Sequence, residues 1–315
     1  MQRPKCTSHR AGETLGKAGK NVKLSIAVES GSKQPYGCGV DAVPLALSRF
    51  FTLLAFFALV VLGCGDGQDH APFVGNSRAL FAQIGQTYDI SIVAADPVFP
   101  VKTTYGKIEG HVADADEIDR YAALFAREFT LYPRSLIKRS GLKRVVLCKD
   151  LAYAGQLRGA IPDFEHDTLY LDVIRGGYDR KYLCKVIHHE FFHMIDYRDD
   201  GLVYEDKQWS SLNRPDFKYG TGGKNAQLVA DAQVLTDKFP GFLNYYSSTG
   251  VEEDKAELFA NLIVDEDYVE HRTRTDRVLR AKVQALKELM AKFCPDVDEP
   301  FWEKAGKVIR TANRQ

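Results

Sequence analysis

A chain of 315 residues with 45% hydrophobic content has ample material for a core and room for one large domain or two small ones. Its 42 basic and 42 acidic residues cancel, so no field of one sign favours nucleic acid or an anionic membrane surface as partner. It shows neither a repeat at a fixed period nor a low-complexity tract, which excludes solenoid and fibrous designs.

Residues 1–42 are polar, Gly-rich and without a periodic apolar pattern. They are expected to be an unfolded or mis-assigned extension, with translation starting near Val43 from a non-standard codon. An apolar run from Phe50 to Cys64 then follows the single Arg49. It is shorter than the roughly 20 residues of a membrane span and close to a signal-peptide core. A plain membrane anchor or a buried strand would also use such a run. Its end, Val61-Leu62-Gly63-Cys64, resembles the lipobox of bacterial lipoproteins. That resemblance implies a signal peptide over 43–64, acylation of Cys64 and an extracytoplasmic protein. Gly65 and Asp66 come next; the usual retention signal puts Asp directly after the cysteine, so the outer membrane is expected.

Residues 65–85 are expected to be a tether and 86–315 a folded domain. "YDISIVAA" (88–95) alternates as a strand does. "DADEIDRYAALFAREFTLYP" (114–133) predicts a helix, acidic at its start and closed by Pro133. "RVVLCKDL" (144–151) is a β-branched strand. "DTLYLDV" (167–173) is another, with Leu169, Leu171 and Val173 on one face and Thr168, Tyr170 and Asp172 on the other. Gly176 and Gly177 break the chain before a helix from about Asp179 to Tyr197. The stretch 200–240 combines turn formers with aromatics and reads as ordered loop. Helices are predicted over about 250–265 and, as one long amphipathic element, 270–293; "EPFWEKAGKVIRTA" closes the chain. A helix, then strands, then helices predict an α+β domain. Cys148, Cys184 and Cys294 form an odd set without a CxxC pair. They are expected to be buried thiols rather than ligands, though one disulfide is compatible.

Inside the 179–197 helix stands "IHHEFFHMID" (187–196). Residues four apart share a helix face, so His189 and His193 can present both imidazoles to one ion. Ile187, Phe191 and Met194 fall on the opposite side, extended by Cys184 and Ile195, giving a core face. Glu190 sits at the edge of the ligand face, where a carboxylate can handle the proton of a water without occupying the metal. His188 points about 100° away and reads as structural or exposed.

Two schemes can supply a third ligand. HExxHxxGxxH would end at Asp199, but Asp196 replaces the glycine that turns the chain, and downstream of Met194 only Met290 remains for the required Met-turn. The gluzincin scheme instead takes a Glu from a second helix. "STGVEEDKAELFANLI" (248–263) suits it: Thr249 and Glu252 can form a capping box, Phe259, Leu262 and Ile263 an apolar stripe, and Glu253, Glu257 and Asn261 a polar one.

"HEFFHMID" followed by "GFLNYYSSTGVEEDKAELFANLI" is similar to a family of candidate zinc-binding metallopeptidases, many of them bacterial lipoproteins. The segment between, with Trp209, Leu212, Asn213, Phe217, Tyr219, Gly220, Gly222 and Gly223, also looks familial, and the likeness spans about residues 140–305. More loosely, the chain resembles the lethal-factor type of zincin. The resemblance implies a zincin-like domain with a small sheet, an HExxH helix and a helical C-terminal part. It implies Zn2+ on His189, His193 and Glu257, with Glu253 as fallback ligand and Glu257 then its i+4 partner. It makes Glu190 the general base and acid, and Tyr246 an oxyanion donor, with Tyr245 close behind. Asp196 could orient an imidazole. By analogy "DTLYLDV" would be the edge strand along which an extended peptide lies.

The expected function is a zinc metallopeptidase, an endopeptidase acting on peptide or protein, held to the membrane through Cys64 outside the cytoplasm. The alternative is a surface lipoprotein that keeps the fold as a non-catalytic binding module; the intact Glu190 argues against it. A chance motif without metal is the third reading, and metal analysis separates it.

Overall fold

The computed structural model describes residues 77–310 except 178, 221, 223–225, 227, 228 and 230. The expectations for residues 1–42, the signal over 43–64 and the acylated Cys64 fall outside the described residues, as does Gly223. The described chain is a mixed α+β structure: a seven-stranded sheet and nine α-helices. No described helix is long and apolar enough to cross a membrane.

The sheet is built on β4 (Arg144–Tyr153). Val145 and Leu147 face the main core, Val146 and Cys148 a smaller one on the other side. A strand buried on both faces needs such an unbroken β-branched run. The first half of β4 lies parallel to β1 (Ser91–Val93) on one edge and to β7 (Thr168–Asp172) on the other. Its second half pairs antiparallel with β3 (Gly106–His111) and β5 (Gln156–Leu157). β2 (Val101–Thr103) continues beyond β3, and β6 (Ala160–Asp163) beyond β7. The change of partners occurs at Asp150, where φ is 53° and the β3 register slips. The amide thereby freed, Leu151 N–H, donates to Asp172 Oδ2 at 3.0 Å, because a buried amide must find an acceptor.

The alternation within 167–173 holds: Leu169, Leu171 and Val173 enter the main core and Tyr170 the smaller one. Its expected edge position does not. β7 is hydrogen-bonded on both sides, and the open edge is β6, where Pro162 has no N–H to contribute.

Helices α1 (Ser77–Tyr88), α2 (Ala115–Phe129) and α3 (Arg134–Ser140) pack with α4 (Arg180–Asp200) in the main core. The expected tether thus ends earlier than residue 85, because Phe81, Ile84 and Tyr88 form a helical stripe buried against Phe125 and Phe129. In α2, Glu117 accepts from the Asp114 N–H at 2.7 Å, a capping contact. Asp179 caps α4 by accepting from Tyr182 N–H, and Gly201, at φ 78°, ends it in the left-handed conformation.

After α4 the chain makes the short α5 (Lys207–Ser210), an irregular stretch, a 3-10 turn (Tyr246–Ser248) and then α6 (Val251–Val264). The capping box expected from Thr249 and Glu252 is absent: Gly250 is the N-cap, and the Thr249 hydroxyl donates to Tyr246 O at 2.7 Å. The long helix expected over 270–293 is two, α7 (Glu266–Thr273) and α8 (Arg277–Phe293). Asp276 divides them, accepting from Leu279 N–H as N-cap and from Gly241 N–H. α9 (Glu299–Gly306) closes the described fold. Cys148, Cys184 and Cys294 are buried free thiols.

Every residue of α6 is buried, including six that are polar or charged. Most of these are matched by a group from another element. Lys255 lies 2.6 Å from Asp196 on α4. Asp254 meets Lys282 of α8 at 2.7 Å and accepts from Trp209 Nε1 at 2.8 Å and the Tyr219 hydroxyl at 2.6 Å. A buried charge left without its partner costs about 3–5 kcal/mol, so these pairs set how α6 seats on α4.

Candidate metal centre

α4 and α6 cross so that His189, His193 and Glu253 converge. Glu253 Oε2 is 3.0 Å from His189 Nε2 and 3.7 Å from His193 Nε2, and the two Nε2 atoms are 3.2 Å apart. Ligand atoms about 2.05 Å from a tetrahedral zinc are about 3.3 Å from one another, so the triangle has the size of three corners of such a site. Two imidazole nitrogens and a carboxylate are also the donor chemistry that zinc takes. All three residues are buried.

Glu257, one turn further along α6, stands on the far side of the same imidazole. Its Oε1 is 3.2 Å from His189 Nδ1, close but off hydrogen-bond alignment. Its other contacts hold it there: Asn244 Nδ2 donates to Oε2 at 2.7 Å, and Lys185 Nζ is 3.3 Å from each oxygen. The structure therefore brings Glu253, not Glu257, to the Nε2 atoms, and places Glu257 beside Nδ1 of His189. The reason is where the helices cross: the first turns of α6, rather than its middle, face the Nε2 side.

Charge in the cluster follows from this geometry. Burial alone would lower the pKa of His189, but Glu253 and Glu257 outweigh it and push it up to about 10. Burial raises both glutamates, yet the histidines hold Glu253 far below the carboxylate range, and Lys185 and His189 hold Glu257 down at about 2. The site thus keeps two carboxylates ionised around one imidazole, and once the His189 proton leaves, their charge suits a divalent cation.

Glu190 lines a narrow slot together with His189, Tyr246 and Glu257. Burial pushes its carboxyl up, and the charge of His189 and His193 pulls it back. Tyr246 is buried, its ring 5.9 Å from that of His189, and its hydroxyl donates to Glu253 Oε1 at 2.9 Å. Tyr245 instead lies at the surface against Phe239, so of the two neighbours Tyr246 is the one beside the cluster. Asp196 is taken up by Lys255 rather than by an imidazole, and the neighbouring His193 Nδ1 is buried without a hydrogen-bond partner.

His188 is structural and wholly buried. Its Nε2 is 3.0 Å from Glu128, and its Nδ1 meets the Tyr132 hydroxyl at 2.5 Å. Arg127 and Arg310 complete the shell of Glu128. The familial-looking segment before α6 also serves a physical purpose. Trp209 and Tyr219 hold Asp254, and Asn213 Nδ2 donates to the Tyr219 hydroxyl at 2.9 Å. Sequence reasoning missed Lys185 and Asn244 altogether; the first, one turn before His189, could have been found from helical spacing.

No protein-family model matches the chain, and no curated protein matches it. Among solved structures it is similar to a protein of Bacteroides caccae ATCC 43185, described as a candidate zinc-binding metallo-peptidase. The identity is 16% and the TM-score 0.46, over 73% of this chain and 90% of that one. At that distance the likeness says nothing about individual residues. On its own geometry, the His189, His193 and Glu253 cluster is a group that could hold a metal ion, set in an α+β fold.

Proposed function

We propose that this chain is a zinc-dependent metallopeptidase, carried outside the cytoplasm on a lipid at Cys64. The observation that supports the catalytic reading most is a zinc-sized donor triangle, one corner of which, His189, lines a slot together with the Glu190 carboxyl. Zinc bound there lowers the pKa of water toward neutrality and polarises a carbonyl. Glu190, its carboxyl raised by burial, takes the proton of the attacking water and returns it to the leaving amine. The Tyr246 hydroxyl turns from Glu253 to the oxygen on which charge develops. Glu257 keeps the His189 ring from rotating, and Asn244 and Lys185 keep Glu257 in place. The open edge of β6 is where an extended peptide would add as a strand, since its Ala160 and the preceding Arg158 and Gly159 line the slot.

Zinc content and hydrolysis of a quenched casein, for the wild type beside Glu190→Gln, test this reading. One zinc in both proteins, with hydrolysis in the wild type alone, is expected; activity retained by Glu190→Gln would remove Glu190 from the mechanism. Metabolic labelling with a fatty-acid analogue, lost in Cys64→Ser, tests the anchor.

A further inference from the structure

Next to the slot opens a larger cavity of about 500 Å³, within the size range of ligand pockets. The two share Gly159, Tyr182, Lys185, Gln233 and Tyr246, so a peptide lying in the slot has the cavity beside it. Charges around the cavity are unevenly placed. Arg175, Asp179, Lys181 and Asp231 are exposed at its mouth. Asp179 is engaged in capping α4, and Lys181 is paired with Asp265. Arg175 has no side-chain hydrogen bond or ion pair among the described residues.

Among the described residues that line it, only Lys185 carries charge at depth, 9% exposed and one turn before His189. Its partner Glu257 faces the slot and does not line the larger cavity. An ammonium has three protons, and one carboxylate at 3.3 Å leaves it able to take a second acceptor.

We propose that this cavity receives a carboxylate of the substrate, bound by Lys185 at the floor and Arg175 at the mouth. The enzyme then cuts beside an acidic side chain or near a free chain terminus, both of which carry that group. The inference rests on the peptidase reading of the neighbouring site.

The test uses the zinc-loaded full chain and quenched peptides matched in pairs: Glu against Gln next to the cut bond, and free against amidated C-terminus. The charged member of one pair is expected to lead in kcat/KM by about tenfold or more, through KM, the worth of one charge-assisted hydrogen bond. The pair that shows the difference names the source of the carboxylate. Loss of Lys185 also disturbs Glu257, so all rates fall in Lys185→Met; the diagnostic quantity is the ratio within a pair. That ratio should fall to near one in Lys185→Met and severalfold in Arg175→Ala, which touches no residue of the metal cluster. Equal rates within both wild-type pairs, or ratios unchanged in both variants, would overturn the proposal. Should no peptide be cut, the peptidase reading fails, and binding of the same peptides to Glu190→Gln, followed by anisotropy, judges the cavity alone. A tenfold preference there for the charged peptide, abolished by adding Lys185→Met, supports it; no preference overturns it.

Discussion

Glutamine at Glu253 should weaken zinc more than glutamine at Glu257 and cost the fold less stability, although the two positions are one helical turn apart. Glu253 Oε2 closes the donor triangle at 3.0 and 3.7 Å from the two Nε2 atoms. Sharing about 10–16 kcal/mol of zinc binding among four ligands assigns ~3 kcal/mol to each, so Glu253→Gln should weaken zinc about 150-fold. Of the metal cluster, Glu257 meets His189 alone, at Nδ1 and 3.2 Å, and losing such an outer contact weakens a metal about 10–100-fold. Stability should run the other way. Glu257→Gln leaves the buried Lys185 without a carboxylate, costing about 3 kcal/mol and lowering the Tm of the zinc-free protein by about 6–12 °C. Competitive titration with a chromophoric chelator measures the first effect, and melting of the metal-free variants the second. Zinc lost from Glu257→Gln and retained by Glu253→Gln would refute this placement of the two carboxylates.

Tyr246→Phe should keep its zinc and lose about 10²-fold in kcat, as loss of an oxyanion donor does; an unchanged kcat assigns the hydroxyl to Glu253 alone. Zinc must also displace the proton on His189, whose pKa is about 10 without metal. Raised in the metal-free fold, that pKa keeps the proton bound at neutral pH, so zinc affinity should rise with pH between about 6 and 9. Calorimetry in buffers of different ionisation enthalpy should show about one proton released per zinc; no release would contradict it. His188→Ala should destabilise the fold by about 3 kcal/mol through the lost Glu128 and Tyr132 hydrogen bonds and the cavity left in a wholly buried site, read as a lowered denaturation midpoint.

The ligand helix is legible in the sequence because its information is local. Two histidines four apart and an apolar opposite side survive in any α-helix. The choice between Glu253 and Glu257 is not, since both lie on one stripe of α6 and only the crossing with α4, governed by Lys255, Asp196 and Asp254, decides which faces Nε2. The polar stripe of α6 is buried for the same reason: its partners come from residues far away in sequence. α1 is hard to read because its apolar residues are few and β2 because three residues carry too little pattern. The position of the edge strand is hidden because alternation reports which faces are buried, not who the lateral neighbours are.

A helix of fourteen residues without one exposed position has a consequence for how this protein can vary. Ordinary helices show tolerance to exchange that rises and falls every three to four residues. In α6 that rhythm should vanish: a scan of all substitutions would find one continuous forbidden block from Val251 to Val264. Drift of this protein toward new ligands must then be written elsewhere, in the walls of the cleft.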